Sequence, residues 1–480
     1  MKKNNYLLPI ITAIIALLFS INKSSIWIDE MITLRAIHEK SFSEMFSNIL
    51  NSHNANGGMP LFFIIEWTWT RLFGYSEIGL RSLNILFAII YFIVSWRIIK
   101  ETKSPSWFCV LFFLNPIFIY YMNEARPYII LLCIGSIYTY LLFFRDLNNY
   151  KTLLLLHLTF LAGLLTHMMF GFIILMYLAQ CVHLIRLKKL DLKKHLSVFG
   201  AFIIPYIIVL YHYMNVMTDA NEIGGSEVLA PNWKASIIQI VYYFLGFGGL
   251  GLSRNDLRSM LFSQLTGVQI TFIALMLFGY LSLFLYIIKN KIWKDKYSVS
   301  IFLIGFVTFG GFCIINILFK TRFWERHIIY LLPILLILLC GILKSMIDSK
   351  KMFYRAGAIL IISLSTISGL CIMFDKYYEK EDYKGVVSYV NETKEGMFFF
   401  QGDSLIYNYY GIDFNNPKFQ MVNNFEIEDL NNHSNISKEN TPLFLILSSR
   451  KEFDLGRLYH KTYESSDVKY NSFRIVQYNP

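Results

Sequence analysis

Residues 328–343 read IIYLLPILLILLCGIL, one of many long apolar runs in this chain of 480 residues. Hydrophobic residues make up 55% of the sequence and charged residues only 16%. A soluble protein of this length carries more charge and has fewer uninterrupted apolar segments. Because about 20 consecutive apolar residues can cross a bilayer as one helix, the pattern predicts an all-α polytopic membrane protein.

The apolar runs predict about eleven transmembrane helices. They cover residues 6–23, 78–99, 107–122, 127–144, 151–166, 168–185, 196–213, 266–288, 298–318, 328–347 and 353–374. The first run follows Met1-Lys2-Lys3 but precedes no small-residue cleavage pattern, so we expect it to be an anchor and not a cleaved signal.

Lys and Arg are concentrated in the short connections on one side of these spans. The positive-inside rule therefore places the N-terminus in the cytoplasm. The net charge of +11 is explained by these connections. It therefore does not require nucleic acid as a partner. In this orientation Asp29-Glu30, Glu124-Arg126 and Arg322-Arg326 all lie at the outer surface.

Two outer connections, 22–77 and 214–265, are long and partly apolar. Their segments 60–74 and 234–262 suit helices that lie in the membrane interface. The alternative is that 60–74 crosses the membrane as a further span.

After residue 375 the composition becomes polar and charged. The pattern at 383–390 predicts an amphipathic helix, and 398–400, 443–447 and 473–476 predict short strands. An odd number of spans places this tail outside as a small α/β domain. The six cysteines all lie in apolar segments without metal-ligand spacing, so we expect small core residues.

The pair Asp29-Glu30 comes directly after the apolar Ile26-Trp27-Ile28. A carboxylate at the outer membrane surface is partly desolvated yet reachable, and its pKa can be tuned toward that of a general base. The alternative is an acidic residue at a hydrated helix end.

Three further polar segments fall at outer ends of spans. Asn123-Glu124-Ala125-Arg126-Pro127-Tyr128 is either a solvated turn or part of an outward polar pocket, and His167 either a structural or a site-lining group. Lys320-Thr321-Arg322-Phe323-Trp324-Glu325-Arg326-His327 breaks the positive-inside pattern, which favours binding of an anionic lipid phosphate. Bulk anionic headgroups are the alternative partner.

Other classes of protein have weaker support. Ionisable groups are scarce inside the spans, apart from a few such as His157 and His183, which counts against ion-coupled transport. The chain has no P-loop, no dinucleotide fingerprint and no HExxH motif.

Together these segments resemble the polytopic GT-C glycosyltransferases that use polyprenyl-phosphate sugars. They are similar to the glycosyltransferase 39 group, which includes protein O-mannosyltransferases and lipid A aminoarabinose transferases. The matching segments are Asp29-Glu30, Gly58-Met59-Pro60-Leu61, Leu72-Phe73-Gly74, Ser76-Glu77-Ile78-Gly79-Leu80-Arg81-Ser82, Asn123-Glu124-Ala125-Arg126-Pro127-Tyr128, Leu165-Thr166-His167, Arg326-His327-Ile328-Ile329-Tyr330-Leu331-Leu332-Pro333 and Asp382-Tyr383-Lys384. Met59 and Leu83 stand where the family has proline.

The resemblance implies a GT-C membrane domain over 1–374, with the acidic pair in its first outer loop, and a periplasmic α/β domain over 375–480. It implies that Asp29 is the general base and Glu30 a second catalytic carboxylate. The donor phosphate would be bound by Arg322, Arg326, His327 and Arg126. The substrate pocket would include Glu124, Tyr128, His167, Pro60, Arg81 and Tyr330.

The implied activity is inverting transfer of a hexose or pentose from a polyprenyl (undecaprenyl) phosphate to O-antigen, lipid A or another envelope glycan. It would occur at the periplasmic face of a bacterial inner membrane. Implied partners are the donor, the acceptor, membrane lipid, and a separate donor synthase and flippase, with no nucleic acid. No cofactor is required, and a divalent metal is left open. A transporter or flippase of lipid-linked saccharide, a protein O-glycosyltransferase and a non-catalytic scaffold remain as alternatives.

Overall fold

The computed structural model divides into two compact units. It describes residues 6–21, 24–51, 59–223, 233–250, 266–291, 309–310, 314, 325–374, 382–393, 396–401, 404–421, 442–448, 467–470 and 473–478. The membrane unit consists of Met1–Asn22 and Ala36–Phe374, and the tail unit of Lys23–Arg35 and Asp375–Pro480. The short segment that carries the acidic pair therefore belongs to the tail unit.

The regular secondary structure in the described residues of the membrane unit is helical. Its helices, with α2 shared between the units, are α1 (Leu7–Ser20), α2 (Ile28–Ile37), α3 (Phe42–Leu50), α4 (Pro60–Phe73), α5 (Glu77–Arg81), α6 (Leu83–Glu101), α7 (Cys109–Phe113), α8 (Pro116–Met122), α9 (Tyr128–Phe144), α10 (Tyr150–Thr166), α11 (Ile174–Arg186), α12 (Leu192–Ile223), α13 (Trp233–Phe244), α14 (Gly267–Lys289), α15 (Leu332–Ile347) and α16 (Met352–Phe374). Two 3-10 segments lead directly into longer helices. The first 3-10 segment, Met168–Ile173, precedes α11, and the second 3-10 segment, Glu325–Leu331, precedes α15.

Within the described ranges, nine apolar helical segments coincide with predicted spans. Six are long and apolar enough to cross a membrane: Glu77–Glu101, Met168–Arg186, Leu192–Val216, Gly267–Lys289, Glu325–Ile347 and Met352–Phe374. Three more, α1, α9 and α10, are apolar but shorter. The chain is a multi-pass membrane protein, and the predicted all-α polytopic fold class is confirmed.

The prediction of one continuous span over 107–122 is wrong, because the structure breaks this segment in its middle. Pro116 opens a new helix, and the side chain of Asn115 accepts a hydrogen bond from the backbone two residues later at 3.0 Å. A proline at the first helical position and an asparagine cap both start a helix. The Leu114 carbonyl at the break lies directly against Gly369 of α16, where a side chain would collide.

Two other predicted segments have different outcomes. Only three positions of the predicted span 298–318 lie within the described residues. Of the segment 60–74, Pro60–Phe73 form α4, whose 14 residues include Glu66 and Arg71. At 1.5 Å per residue α4 is about 21 Å long, shorter than the ~30 Å hydrocarbon core. The structure thus gives a helix without the length or composition of a usual span.

Buried polar pairs align three of the apolar helices, α10, α11 and α12. Nδ1 of His157 lies 2.7 Å from the Tyr206 hydroxyl, and the Tyr177 hydroxyl lies 2.6 Å from Nδ1 of His195. A polar group left unpaired in hydrocarbon costs several kcal/mol. Because each pair joins two helices, these contacts favour one alignment of the bundle.

The tail unit contains a five-stranded mixed sheet. Its strands are β1 (Met397–Phe400), β2 (Phe419–Met421), β3 (Leu443–Ser448), β4 (Asp467–Tyr470) and β5 (Phe473–Tyr478), and its helices are α17 (Tyr383–Glu392) and α18 (Ser404–Tyr409). The strand order is β2-β1-β3-β5-β4. β1 runs parallel to β2 and β3, with Phe398 between Phe419 and Phe444, whereas β5 runs antiparallel to β3 and β4.

The helix and three strands predicted in the tail are α17, β1, β3 and β5. α17 buries Tyr383, Val386, Val387 and Val390, the one-face spacing of an amphipathic helix. The two strands that the sequence pattern does not reveal, β2 and β4, are the edge strands. They have three and four residues, too few for an alternating pattern to stand out.

Candidate functional site

The turn between α8 and α9, residues 123–127, is held from α6. The side-chain amide of Asn84 donates to the carbonyl oxygens of Met122 and Glu124 at 3.1 and 2.7 Å. Glu124 is fully buried and Arg126 is 8% exposed. The solvated-turn alternative is therefore excluded, and the turn places one acidic and one basic side chain in the interior.

His167 ends α10 and begins the first 3-10 segment. Its backbone N–H donates to the Gly163 carbonyl at 2.9 Å, and its Nδ1 accepts from the Met169 N–H at 3.1 Å. With Nδ1 accepting, a neutral ring carries its proton on Nε2. Phe170 packs against Gly163, where any side chain would overlap its ring. The imidazole is thereby fixed at the end of α10.

Arg326 and His327 lie on the second 3-10 segment and face two parts of the membrane unit. The guanidinium carbon of Arg326 is 5.7 Å from the ring centroid of Tyr128, a cation–π distance. The ring centroid of His327 is 5.5 Å from that of His167. The Tyr330 hydroxyl donates to a carbonyl of the first 3-10 segment at 2.7 Å. These contacts join the starts of α9, α11 and α15.

The charges of two arginines lower the pKa of the His167 imidazole. Burial lowers the pKa of His167 most, and the positive charges of Arg126 and Arg326 lower it further, to about 3. The ring is therefore neutral near pH 7. Guanidinium groups bind phosphate and carboxylate oxygens through paired hydrogen bonds. Two guanidinium groups near a neutral imidazole therefore favour the binding of an anion that has several oxygens.

The second 3-10 segment lies directly against α9. A Cβ added at Gly135 would lie 2.7 Å from both the Cβ and the carbonyl oxygen of Tyr330. Neither atom can move by side-chain rotation alone. The absence of a side chain at Gly135 therefore permits the packing that places Arg326.

The acidic pair opens α2 in the tail unit. Asp29 is half-buried, and Glu30 is 1% exposed, with its Oε2 accepting from the Trp27 N–H at 3.4 Å. The Glu30 side chain thus accepts a hydrogen bond from the backbone just before α2 and stabilises the start of that helix. The half-buried carboxylate of Asp29 combines partial desolvation with access, the combination a general base needs.

The segment before the acidic pair is hydrogen-bonded to the tail domain. The Ser25 hydroxyl donates to Oδ1 of Asp382 at 3.2 Å and accepts from the Lys384 N–H at 2.8 Å. The Ile26 N–H donates to the Tyr410 hydroxyl at 2.7 Å. Asp382 Oδ1 also caps α17, accepting from the backbone three residues later at 2.8 Å. One carboxylate therefore caps α17 and holds the chain before Asp29.

The predicted site residues fall into separate places. Direct contacts or charges bring together Arg126, Tyr128, His167, Arg326, His327 and Tyr330 in the membrane unit. Asp29 and Glu30 belong to the tail unit. Pro60 is the buried first residue of α4, and Arg81 the fully buried last residue of α5. Arg322 lies outside the described residues.

Polar residues that no motif singles out also support the site. Oε1 of Glu325 accepts from the Tyr121 hydroxyl at 2.5 Å, and Oε2 accepts from Nε2 of Gln239 at 2.6 Å. Asn84 holds the 123–127 turn, as described above. A usable signal exists for two of them, since Gln239 and Asn84 each interrupt an apolar stretch.

Metal and thiol chemistry have little support in the described part of the chain. There, no group of three or more His, Cys, Asp or Glu side chains is placed to hold a metal ion. The five cysteines described are free thiols, and Cys109, Cys133 and Cys340 are buried. These three are core residues, as the sequence predicts.

Acidification should destabilise the protein partly through His167. The folded ring has a pKa of about 3, whereas an unfolded histidine has one near ~6.5. Its contribution to stability is therefore present above about pH 6.5 and lost as the pH falls toward 3. We expect the melting temperature to fall less between about pH 8 and 5 in His167→Asn, whose Oδ1 can take the place of Nδ1 and accept from Met169. Equal pH slopes in variant and wild type would contradict this role.

Asp382→Ala should weaken both the tail helix and the acidic segment. Loss of a helix cap costs about 1 kcal/mol, and the same change removes the contact with Ser25. We expect a lower melting temperature. We also expect slower sugar transfer, the activity that the resemblance implies, because Asp29 follows the segment that Asp382 holds. Asp382→Asn, which keeps a capping oxygen, should retain most of both properties. Matching behaviour of the alanine variant and the wild type would refute this tether.

The fold is similar to that of a known solved protein. No protein-family model matches the chain, and no curated protein sequence does. The crystal structure of ArnT from Cupriavidus metallidurans in the apo state has a TM-score of 0.51 and 11% identity, covering 98% of this chain and 97% of that one. ArnT bound to undecaprenyl phosphate gives a TM-score of 0.46 and 11% identity, covering 99% and 98%. The likeness to the apo structure shows that the two proteins share a similar fold, in agreement with the predicted polytopic helical fold class.

Proposed function

We propose that this protein is a glycosyltransferase that moves a sugar from a polyprenyl phosphate to an acceptor of the bacterial cell envelope. The motif resemblance supports the reaction class, and the ArnT-like fold is compatible with it. We further propose that the reaction takes place at the periplasmic face of the inner membrane. This orientation follows from the distribution of Lys and Arg between the loops.

The observation that carries the proposal is the position of Arg326, whose guanidinium carbon lies 5.7 Å from the Tyr128 ring centroid while the neighbouring His327 ring lies 5.5 Å from His167. The charges of Arg126 and Arg326 both lower the pKa of this buried imidazole. Both arginines lie in the membrane unit, and the positive-inside rule does not account for cations on the outer side. The phosphate of a lipid carrier would supply an anion at the outer surface of the membrane, where these cations are predicted to lie. Departure of this phosphate builds negative charge, which fixed donors stabilise most effectively in a water-poor site.

The proposed reaction is a single displacement with inversion. The acceptor oxygen forms a bond to the anomeric carbon while the bond from that carbon to the phosphate oxygen breaks. The electron pair of the broken bond remains on the phosphate, which leaves as polyprenyl phosphate. The acceptor proton passes to Asp29, a transfer that contributes about 10²–10⁴-fold to the rate.

Other residues have supporting roles in this proposal. Arg126, Arg326 and His327 bind the donor phosphate, together with Arg322. Glu30 and Glu124 orient the base or contact the acceptor. The donor enters laterally from the membrane after a separate flippase has moved it outward.

The test is a mass comparison of envelope fractions from cells with and without the gene. We expect one fraction among lipopolysaccharide, other surface glycans and glycoproteins to lose one hexose or pentose per acceptor. The wild-type gene should restore this mass and an Asp29→Asn gene should not. Restoration by Asp29→Asn would favour the transporter, and unchanged masses in all three fractions would refute the transferase.

A further inference from the structure

The buried carboxylate of Glu325 connects three elements of the membrane unit. It directly precedes Arg326 on the second 3-10 segment and is fully buried. One oxygen accepts from Tyr121 of α8 at 2.5 Å, and the other accepts from Gln239 of α13 at 2.6 Å. A carboxylate only accepts hydrogen bonds, so it suits a position between two donors.

The contacts of Tyr121 lead back to Arg326. The ring of Tyr121 lies 4.9 Å from that of Tyr128 at an angle of 62°. Tyr128 in turn lies 5.7 Å from the guanidinium carbon of Arg326. Glu325 fixes the backbone beside Arg326, and Tyr128 contacts its guanidinium. Arg326 is therefore constrained at both ends of its side chain.

We infer that Glu325 is a positioning residue that holds Arg326 against the phosphate of the lipid-linked donor. This inference rests on the proposed function, because it concerns the same anion site. Donors stabilise a developing charge only if they are already aligned when it forms. The hydrogen bonds to Tyr121 and Gln239 provide that alignment for Arg326 from α8 and α13.

The structure distinguishes the alanine from the glutamine variant. Glu325→Ala leaves two buried donors without their acceptor, which releases the segment that carries Arg326. Glu325→Gln presents one oxygen and one amide group, and either partner can adapt to it. Oε1 of Gln239 has no hydrogen-bond partner within the described ranges, so a rotated Gln239 amide can accept from the new group. The bridge should survive in the glutamine variant.

The test measures binding of undecaprenyl phosphate and sugar-transfer kinetics in purified full-length protein. We expect Glu325→Ala to lower kcat and phosphate affinity by about 10–100-fold, and Glu325→Gln to stay within about threefold of wild type. The double variant with Arg326→Ala should be no worse than Arg326→Ala alone, because both changes remove one function. If the alanine variant fails to fold, Tyr121→Phe removes one donor and should lower kcat by about 3–10-fold.

A matched control removes a buried tyrosine hydroxyl elsewhere. Tyr206→Phe loses its contact with His157 in the α10–α12 bundle and should keep wild-type kinetics. One outcome would overturn this inference and leave the proposed function intact. In it, the wild-type protein binds undecaprenyl phosphate and transfers sugar, and Glu325→Ala does both equally well. Additive losses in the double variant would also overturn it. Wild-type protein that does neither would overturn the proposed function as well.

Discussion

Asp29→Asn should reduce sugar transfer by about 10²–10⁴-fold, the usual contribution of a general base. The amide has the shape of the carboxylate but cannot take up the acceptor proton at neutral pH. Asparagine is tolerated near helix starts, so abundance and melting temperature should stay close to wild type. The measurement is initial turnover of a lipid-linked sugar by equal amounts of purified protein.

The same chemical change elsewhere provides the control for Asp29. Asp191 precedes α12 and accepts from the Lys194 N–H at 3.3 Å, a contact that asparagine can also make. Asp191→Asn should leave turnover unchanged, although both variants remove one negative charge. Full turnover by Asp29→Asn would exclude Asp29 as the general base, although the protein would still be a transferase.

Arg326→Ala should lower kcat by about 10²–10³-fold, the range for removing one donor to a developing anion. It should also weaken binding of undecaprenyl phosphate, because the product keeps the phosphate charge. Arg326→Lys retains the charge but loses the planar fork, so an intermediate loss is expected. Titration of the lipid with each variant, beside steady-state kinetics, separates these effects.

Arg145 offers a control with a similar cation–π contact. Its guanidinium carbon lies 4.8 Å from the Tyr140 ring centroid, at the opposite end of α9. Arg145→Ala removes this contact and one positive charge but should not change kcat. Equal losses in both variants would point to general destabilisation of α9. Unchanged phosphate binding in Arg326→Ala would exclude the proposed phosphate site.

The apolar runs predict the positions of most helices because the requirement for a long, continuous apolar segment is local. The break at Asn115-Pro116 was equally visible in the sequence, since proline and asparagine caps are also local signals. Apolar residues flank this break on both sides, so the length of the apolar run alone does not reveal it. The edge strands of the tail could not be found from pattern, because their existence depends on pairing with β1 and β5.

The site was predicted unevenly for a similar reason. Charged residues at ends of apolar runs, such as Arg126 and Arg326, stand out against their surroundings. Their convergence on His167 depends on the packing of α9 against the second 3-10 segment at Gly135. Gln239 and Glu325 gain their importance only through contact with each other. A buried hydrogen bond between distant residues leaves no periodic trace in the chain.

The order of residues is enough to predict a polytopic helical protein with an α/β tail, because few other arrangements keep such long apolar runs out of water. It also marked the charged positions where an anion could bind. Contacts in the folded protein, and not local composition, group Asp29 with the tail unit, through Ser25 and Asp382. They also bring Arg126 and Arg326 close enough for both charges to lower the pKa of the buried His167 imidazole. Both outcomes depend on contacts between residues far apart in the chain, which local composition does not encode.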